Sequence, residues 1–254
     1  MTDTSIPRSL VEALRTCERI TVLTGAGVSA ESGIPTFRAA QSGMWAHFRP
    51  EELATPRAFR RNPKLVWEWY QWRRSLIAGA APNPAHYAIA EMERHLPDFT
   101  LITQNVDGLH GQAGSTDPIE LHGNITRNRC FEEGILVASG EEMVADSDEP
   151  PRCPRCGAFV RPDVVWFGES LPAGAMDAAL KATHRAQAFF SVGTSTLVHP
   201  AAALPYAAIE RGTLTVEVNP EATPLSSLAD YTVRGPAGEV LPELVHRVWP
   251  TAGD

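Results

Sequence analysis

No run of apolar residues in this 254-residue chain approaches the ~18 needed to cross a bilayer. The first twenty residues also lack the uninterrupted apolar core of a signal peptide, because Asp3, Glu12 and Glu18 fall within them. The expectation is a soluble, cytoplasmic protein with no membrane partner. Basic residues are outnumbered, 22 against 30 acidic ones, for a net charge of −8. A surface of that sign repels phosphodiester backbones and excludes a nucleic-acid binder that works by neutralising phosphates. Cysteine is scarce: four in a reducing compartment point to metal or catalytic use rather than to a disulfide framework. Internal repeats and low-complexity tracts are absent. What is present, 43% hydrophobic content with 7% aromatic residues, suffices for a packed core. The length allows one large domain, or a large and a small one, and leaves the oligomeric state open.

Short β-rich runs alternate with helix-like stretches, the pattern of an α/β fold with a parallel sheet and helices on both faces. Ile20–Thr24, Phe99–Thr103, Ala188–Val192 and Thr213–Val218 read as strands that end in glycine or polar turns. Open α/β sheets bind ligands beyond such carboxyl ends. Two segments break the pattern. Residues 35–80 are rich in Trp, Arg and Pro and read as helical around Pro63–Ile77, and residues 124–159 hold three of the cysteines. The expected organisation is a Rossmann-like domain of residues 1–34, 81–123 and 160–254, with 35–80 and 124–159 forming a small inserted lobe, part helical and part zinc-ribbon-like.

Gly25-Ala-Gly27-Val-Ser-Ala30 follows the first strand directly and fits G-x-G-x-x-A, a loop that lets backbone approach a pyrophosphate. A hydride-transferring dehydrogenase would place a second strand soon after, ending in an acidic residue. The chain runs instead into Glu31-Ser-Gly-Ile-Pro-Thr-Phe-Arg38, which is no strand. The longer string GAGVSAESGIPTFR (Gly25–Arg38), with TQNVDGLH (Thr103–His110) and LHG (Leu121–Gly123), resembles the sirtuin family of NAD-dependent protein deacylases. VVWFGE (Val164–Glu169), GTS (Gly193–Ser195), VNP (Val218–Pro220) and GPAGEVLPEL (Gly235–Leu244) follow in family order across nearly the whole chain.

The resemblance implies NAD as cofactor and acyl-lysine proteins as partners. In that chemistry the acyl oxygen attacks the nicotinamide ribose, nicotinamide leaves, and a histidine then deprotonates a ribose hydroxyl. By position the histidine is His122, with Asn105 and Asp107 completing the catalytic set. Alternation of Ile119 and Leu121 with Glu120 and His122 independently places His122 opposite the apolar pair, and an imidazole suits a base at neutral pH. The family roles of Gln104, Asn105 and Asp107 are to hold the nicotinamide ribose and carboxamide; an Asx-type turn is the plainer reading. Arg38 and the backbone of Ala26 and Gly27 would contact phosphate, Thr194, Ser195 and Asn219 the adenosine side, and Gly25, Gly193 and Ala237 join the cofactor set. The substrate peptide would lie as an added strand between Val164–Glu169 and Thr196–Pro200, touching Val165, Phe167, Gly168 and Glu169. Buried core strands would show the same composition.

Tyr70 and Arg73, at i and i+3 on one helix, resemble the Tyr-x-x-Arg signature of class III sirtuins, which remove succinyl, malonyl and glutaryl groups. Arg offers a fork that fits a carboxylate and a phenol donates a third hydrogen bond. Ala54 matches a small residue that leaves room for the longer acyl chain. Against this stands a packed aromatic helix of Trp67, Trp69, Tyr70 and Trp72, and a plain deacetylase or a mono-ADP-ribosyltransferase would share the same NAD cleavage.

Sirtuins typically hold a structural zinc in two C-x-x-C pairs. Cys153-Pro-Arg-Cys156 is one; the other reads Cys130-Phe-Glu-Glu133, with a carboxylate where a thiol is expected. Two outcomes stay open: a zinc site of Cys130, Cys153, Cys156 and Glu133, weaker than four thiolates, or a lobe that folds without metal. Cys17, in the N-terminal helix, has no matching role and is expected to be buried.

Overall fold

The computed structural model describes residues 5–35, 48–138 and 149–250; Arg38 lies outside them. In chain order the elements are α1 (Arg8–Leu14), β1 (Arg19–Thr24), α2 (Ala26–Ala30), α3 (Pro50–Leu53), α4 (Pro56–Arg61), α5 (Pro63–Ala78), α6 (Pro84–His95), β2 (Asp98–Thr103), α7 (Leu109–Gln112), β3 (Ile119–Glu120), β4 (Gly123–Cys130), β5 (Leu136–Val137), β6 (Val160–Val164), α8 (Ala175–Arg185), β7 (Ala188–Val192), α9 (Ala203–Glu210), β8 (Leu214–Val218), β9 (Tyr231–Val233) and α10 (Ala237–Val248). The four expected strands and the helix over 63–77 all form.

Six strands make one sheet in the order β3-β2-β1-β7-β8-β9, every neighbouring pair parallel. Side chains alternate across it. Ile20 and Val22 of β1 and Phe190 and Val192 of β7 pack on one face with Leu10 of α1, Ile89 of α6 and Leu244 of α10. Leu23 and Phe189 face the other way, against Ala179 of α8 and Leu204 of α9. A parallel sheet covered on both faces explains why these strands read as nearly continuous apolar runs. The strand order reverses between β1 and β7, which opens a crevice at their carboxyl ends, where the glycine loops sit.

The helical insertion is built on α5. Asn62 caps it by accepting from the Leu65 N–H at 3.1 Å and Pro63 supplies the first turn. Val66, Trp69, Tyr70 and Ile77 are buried with Phe59, Ile125 and Trp166 in a second core. Arg74 ties α5 to the next insertion, donating to the Ile125 carbonyl (2.7 Å) and to Asn128 Oδ1 (2.7 Å). That insertion holds an antiparallel sheet, β5-β4-β6. Residues 160–164, expected with the large unit, form β6 and pair antiparallel with β4, Arg161 standing opposite Arg129 and Val160 opposite Cys130. Cys17 is partly buried against the main core. Among the described residues no helix is long and apolar enough to cross a membrane.

Candidate functional site

The first wall of the crevice is backbone on backbone. Gly25 N–H donates to the Val192 carbonyl (3.0 Å), Gly27 N–H to the Gly193 carbonyl (2.8 Å) and Gly193 N–H to the Val218 carbonyl (3.0 Å). A Cβ on Gly25 would lie 2.8 Å from the Gly193 oxygen and one on Gly27 2.7 Å from it, while one on Gly193, whose φ is +60°, would meet the Val28 nitrogen at 2.5 Å. No side chain fits there, so these glycines let the loops after β1 and β7 touch. The Gly27 N–H is engaged by the Gly193 carbonyl, part of this close approach.

Polar side chains from the strand ends fill the crevice. Gln104 Nε2 donates to Thr194 Oγ1 (3.1 Å), and Asn219 Nδ2 to the Thr194 carbonyl (3.0 Å), which laces the ends of β2, β7 and β8 together. Ser195 is half-buried beside them, and Ala237 is buried at the start of α10, where the next amide, Gly238 N–H, donates to Glu31 at 2.9 Å. Asn105 Nδ2 donates to the Gly25 carbonyl and to Ser29 Oγ, both at 3.1 Å. Ser29 in turn donates to Asp107 Oδ2 at 2.7 Å, and Asp107 Oδ1 accepts from the Leu109 N–H at 2.9 Å. Asp107 is buried, so these donors keep its charge tolerable.

Ser29, His86 and His110, to which the sequence alone assigns no role, join this cluster. His86 Nδ1 accepts from the Asn83 N–H (3.2 Å), which leaves the proton on Nε2, 3.5 Å from Ser29 Oγ. Burial pushes His86 below the ordinary histidine range. His110, its ring 4.8 Å from that of His86, is pushed down to about 3 by burial and then by His86. His86 reaches Asp107 and Asn105 through Ser29, and His110 Nε2 lies 3.0 Å from Thr24 Oγ1 at the end of β1. The signal was present for His86: Asn83-Pro84-Ala85-His86 is a helix start that aims its fourth residue back at the cap.

His122 follows β3, not within it. The strand ends at Glu120, so the alternation argued from sequence does not reach His122, which lies in the turn before β4. Its orientation comes from Nδ1, 2.9 Å from the Gln104 carbonyl, which assigns the proton of the neutral ring to Nδ1 and leaves Nε2 able to accept one. Burial lowers its pKa and the Gln104 bond partly restores it. The His122 carbonyl accepts from Val165 N–H at 3.0 Å.

β6 stops at Val164, and residues 165–169 turn away from the sheet instead of continuing it. Phe167 N–H donates to the Ala54 carbonyl (2.9 Å), and Trp166 Nε1 donates to the Tyr70 hydroxyl (2.8 Å). Ala54 and Tyr70 are therefore brought to the same wall, both buried. Arg73 is half-buried, its guanidinium carbon 5.1 Å from the Trp69 ring centre and 5.8 Å from that of Tyr70. Burial raises the Tyr70 pKa and lowers that of Arg73. Phe167, Leu197 and Val198 are exposed, and Gly168 is open with φ +87°. Glu169 is otherwise engaged: its carboxylate grips buried Arg161 at 2.5 and 2.9 Å and accepts from the Trp166 N–H at 2.8 Å. It shapes the turn.

The four proposed metal donors converge. Atoms of Cys130, Glu133, Cys153 and Cys156 all lie within 4.8 Å of one another, and the Cys130 and Cys156 sulfurs are 3.4 Å apart. Tetrahedral zinc with Zn–S near 2.3 Å needs sulfurs about 3.8 Å apart, so the set fits. Two matching knuckles explain the fit. Gly134 N–H returns to the Cys130 carbonyl (3.0 Å) and Gly157 N–H to the Cys153 carbonyl (2.9 Å), both glycines having positive φ. Glu133 thus holds in the first knuckle the place that Cys156 holds in the second. Its carboxylate is also 3.4 Å from Arg155 Nε, a competitor for the metal. Purified protein is expected to carry about one zinc per chain, and Glu133→Ala to weaken zinc affinity roughly tenfold or more by chelator competition. A zinc content well below one after metal-replete expression would count against the site.

Residues 25–200 match a family model described as "Sir2 family". The chain is 51% identical over 243 residues to an "NAD-dependent protein deacylase" of Pyrococcus abyssi, covering 94% of this chain and 96% of the relative. It is 48% identical over 251 residues to "NAD-dependent protein deacylase 1" of Pseudomonas aeruginosa, covering 96% and 99%. The fold superposes on the crystal structure of a Sir2 homolog–NAD complex with a TM-score of 0.89 at 46% identity, covering 96% of this chain and 94% of that one. A structure titled "Sir2-p53 peptide-NAD+" superposes with a TM-score of 0.84 at 30% identity, covering 95% and 98%.

Proposed function

The chain belongs to the Sir2 family, and from that premise we propose that it is an NAD-dependent protein-lysine deacylase that prefers acyl groups ending in a carboxylate: succinyl, malonyl and glutaryl. NAD, when bound, supplies an electrophilic ribose carbon and nicotinamide as the leaving group. The touching glycine loops and Thr194, Ser195 and Asn219 would hold its ADP-ribose half, and Gln104, Asn105 and Asp107 its nicotinamide half. His122 Nε2 takes the ribose proton, its ring held by the Gln104 carbonyl.

The observation that carries the acyl preference is the meeting of Ala54, Tyr70 and Trp166–Phe167 on one wall with Arg73 beside it. Tyr70 accepts from Trp166, so its own proton is available to donate. A lysine chain lying along Val165–Phe167 would direct its acyl end at this wall. Small Ala54 leaves space, and Tyr70 and Arg73 supply hydrogen bonds that only an acyl carboxylate can use.

The test is a set of otherwise identical peptides bearing acetyl-, malonyl-, succinyl- or glutaryl-lysine, incubated with NAD and followed by nicotinamide release and O-acyl-ADP-ribose formation. Higher kcat/KM for the acidic acyl groups is expected. Faster deacetylation would make it a plain deacetylase, ADP-ribose attached to protein a transferase, and no nicotinamide release with any peptide would overturn the enzymatic reading.

A further inference from the structure

Glu217, near the end of β8, is fully buried, and nothing in the deacylation chemistry uses it. A carboxylate at that depth is tolerated only when it is well paired. Thr223 Oγ1 donates to one oxygen and Ser226 Oγ to the other, with Arg234 Nη1 3.2 Å from the latter. Both hydroxyls belong to the loop between β8 and β9. Each also holds that loop's backbone: Ser226 Oγ accepts from the Thr223 N–H (2.8 Å) and Thr223 Oγ1 from the Leu225 N–H (3.1 Å). Arg234 Nη1 reaches the Glu221 carbonyl at 2.6 Å. One buried charge therefore fixes the loop from beneath, from Glu221 to Ser226.

The loop begins at Asn219, whose side chain crosses to the Thr194 carbonyl and whose Oδ1 accepts from the Glu221 N–H at 3.3 Å. Resting on the assignment of Thr194, Ser195 and Asn219 to the adenosine side, we infer that Glu217 is a positioning residue for NAD, setting the adenosine end of the site through Thr223, Ser226 and Arg234. Toward the nicotinamide end, Gln104 meets this network at Thr194 Oγ1 (3.1 Å), and among the described residues Asn105, Asp107 and Ser29 share no hydrogen bond with it, so its influence on that end passes through Gln104.

Glu217→Gln keeps the shape and removes the charge that both hydroxyls and Arg234 address. The KM for NAD is expected to rise roughly tenfold, the scale of one lost charge-assisted hydrogen bond. At saturating NAD, kcat and the KM for the acyl peptide should stay within about twofold. ADP-ribose should bind more weakly while inhibition by nicotinamide is unchanged. Ser226→Ala, a milder break in the same relay, should raise the NAD KM about threefold and serves if Glu217→Gln folds poorly. An unchanged NAD KM in both folded variants, or equal losses at the two ends of NAD, would overturn the inference. Asn219→Ala separates the premise: if it leaves the NAD KM alone, the adenosine assignment fails, whereas a raised KM there with none in Glu217→Gln removes only Glu217.

Discussion

Replacing His122 with Ala is expected to lower acyl transfer by ~10²–10⁴-fold while exchange of labelled nicotinamide into NAD persists. The split follows from order: nicotinamide departs before the ribose hydroxyl needs a base. The substitution also leaves the Gln104 carbonyl without its imidazole partner, so the melting temperature should be measured alongside. The pH profile supplies a second signature. Burial holds the His122 pKa below the ordinary histidine value near 6.5, and only the neutral ring is a base. Activity is therefore present above the folded pKa and lost as pH falls through it, so the acid limb of kcat/KM should lie below pH ~6.5. Simultaneous loss of exchange and transfer in a folded variant would mean that His122 serves binding.

Arg73→Met should separate the acyl groups. Met keeps a long apolar stem against Trp69 and Tyr70 but cannot donate. Removing a charge-assisted bond of ~1.5–3 kcal/mol predicts a fall of about 10- to 150-fold in kcat/KM for succinyl-lysine. Acetyl-lysine, with no carboxylate to pair, should change less than about threefold. Burial lowers the Arg73 pKa, Tyr70 and Asp107 partly offset that, and a further carboxylate beside it would favour the charged guanidinium. Equal losses on both peptides would assign Arg73 to packing.

Much of the fold was legible because its strands are short apolar runs that end in glycine or polar turns, and a two-sided parallel sheet leaves that mark. The candidate site residues at the ends of β1, β2 and β7 were legible by adjacency alone. Features that depend on partners distant in sequence were hidden. Ser29 joins Asn105 and Asp107 only once β1 and β2 lie side by side. Glu169 pairs with Arg161, whose burial on β6 has no local signal. The strand argument for His122 failed because β3 is two residues long. Glu133 looked out of place as a cysteine substitute until the two knuckles could be laid over each other.

The three glycines at the crevice have an entropic consequence. Their backbones are stitched to β7 and β8 by main-chain bonds and packed too closely for any side chain. A loop held that way has little freedom left to lose when a ligand arrives. Ordering a flexible phosphate loop would subtract from affinity; here that loss was incurred when the sheet assembled, and the binding free energy of the dinucleotide remains for orienting its reactive end.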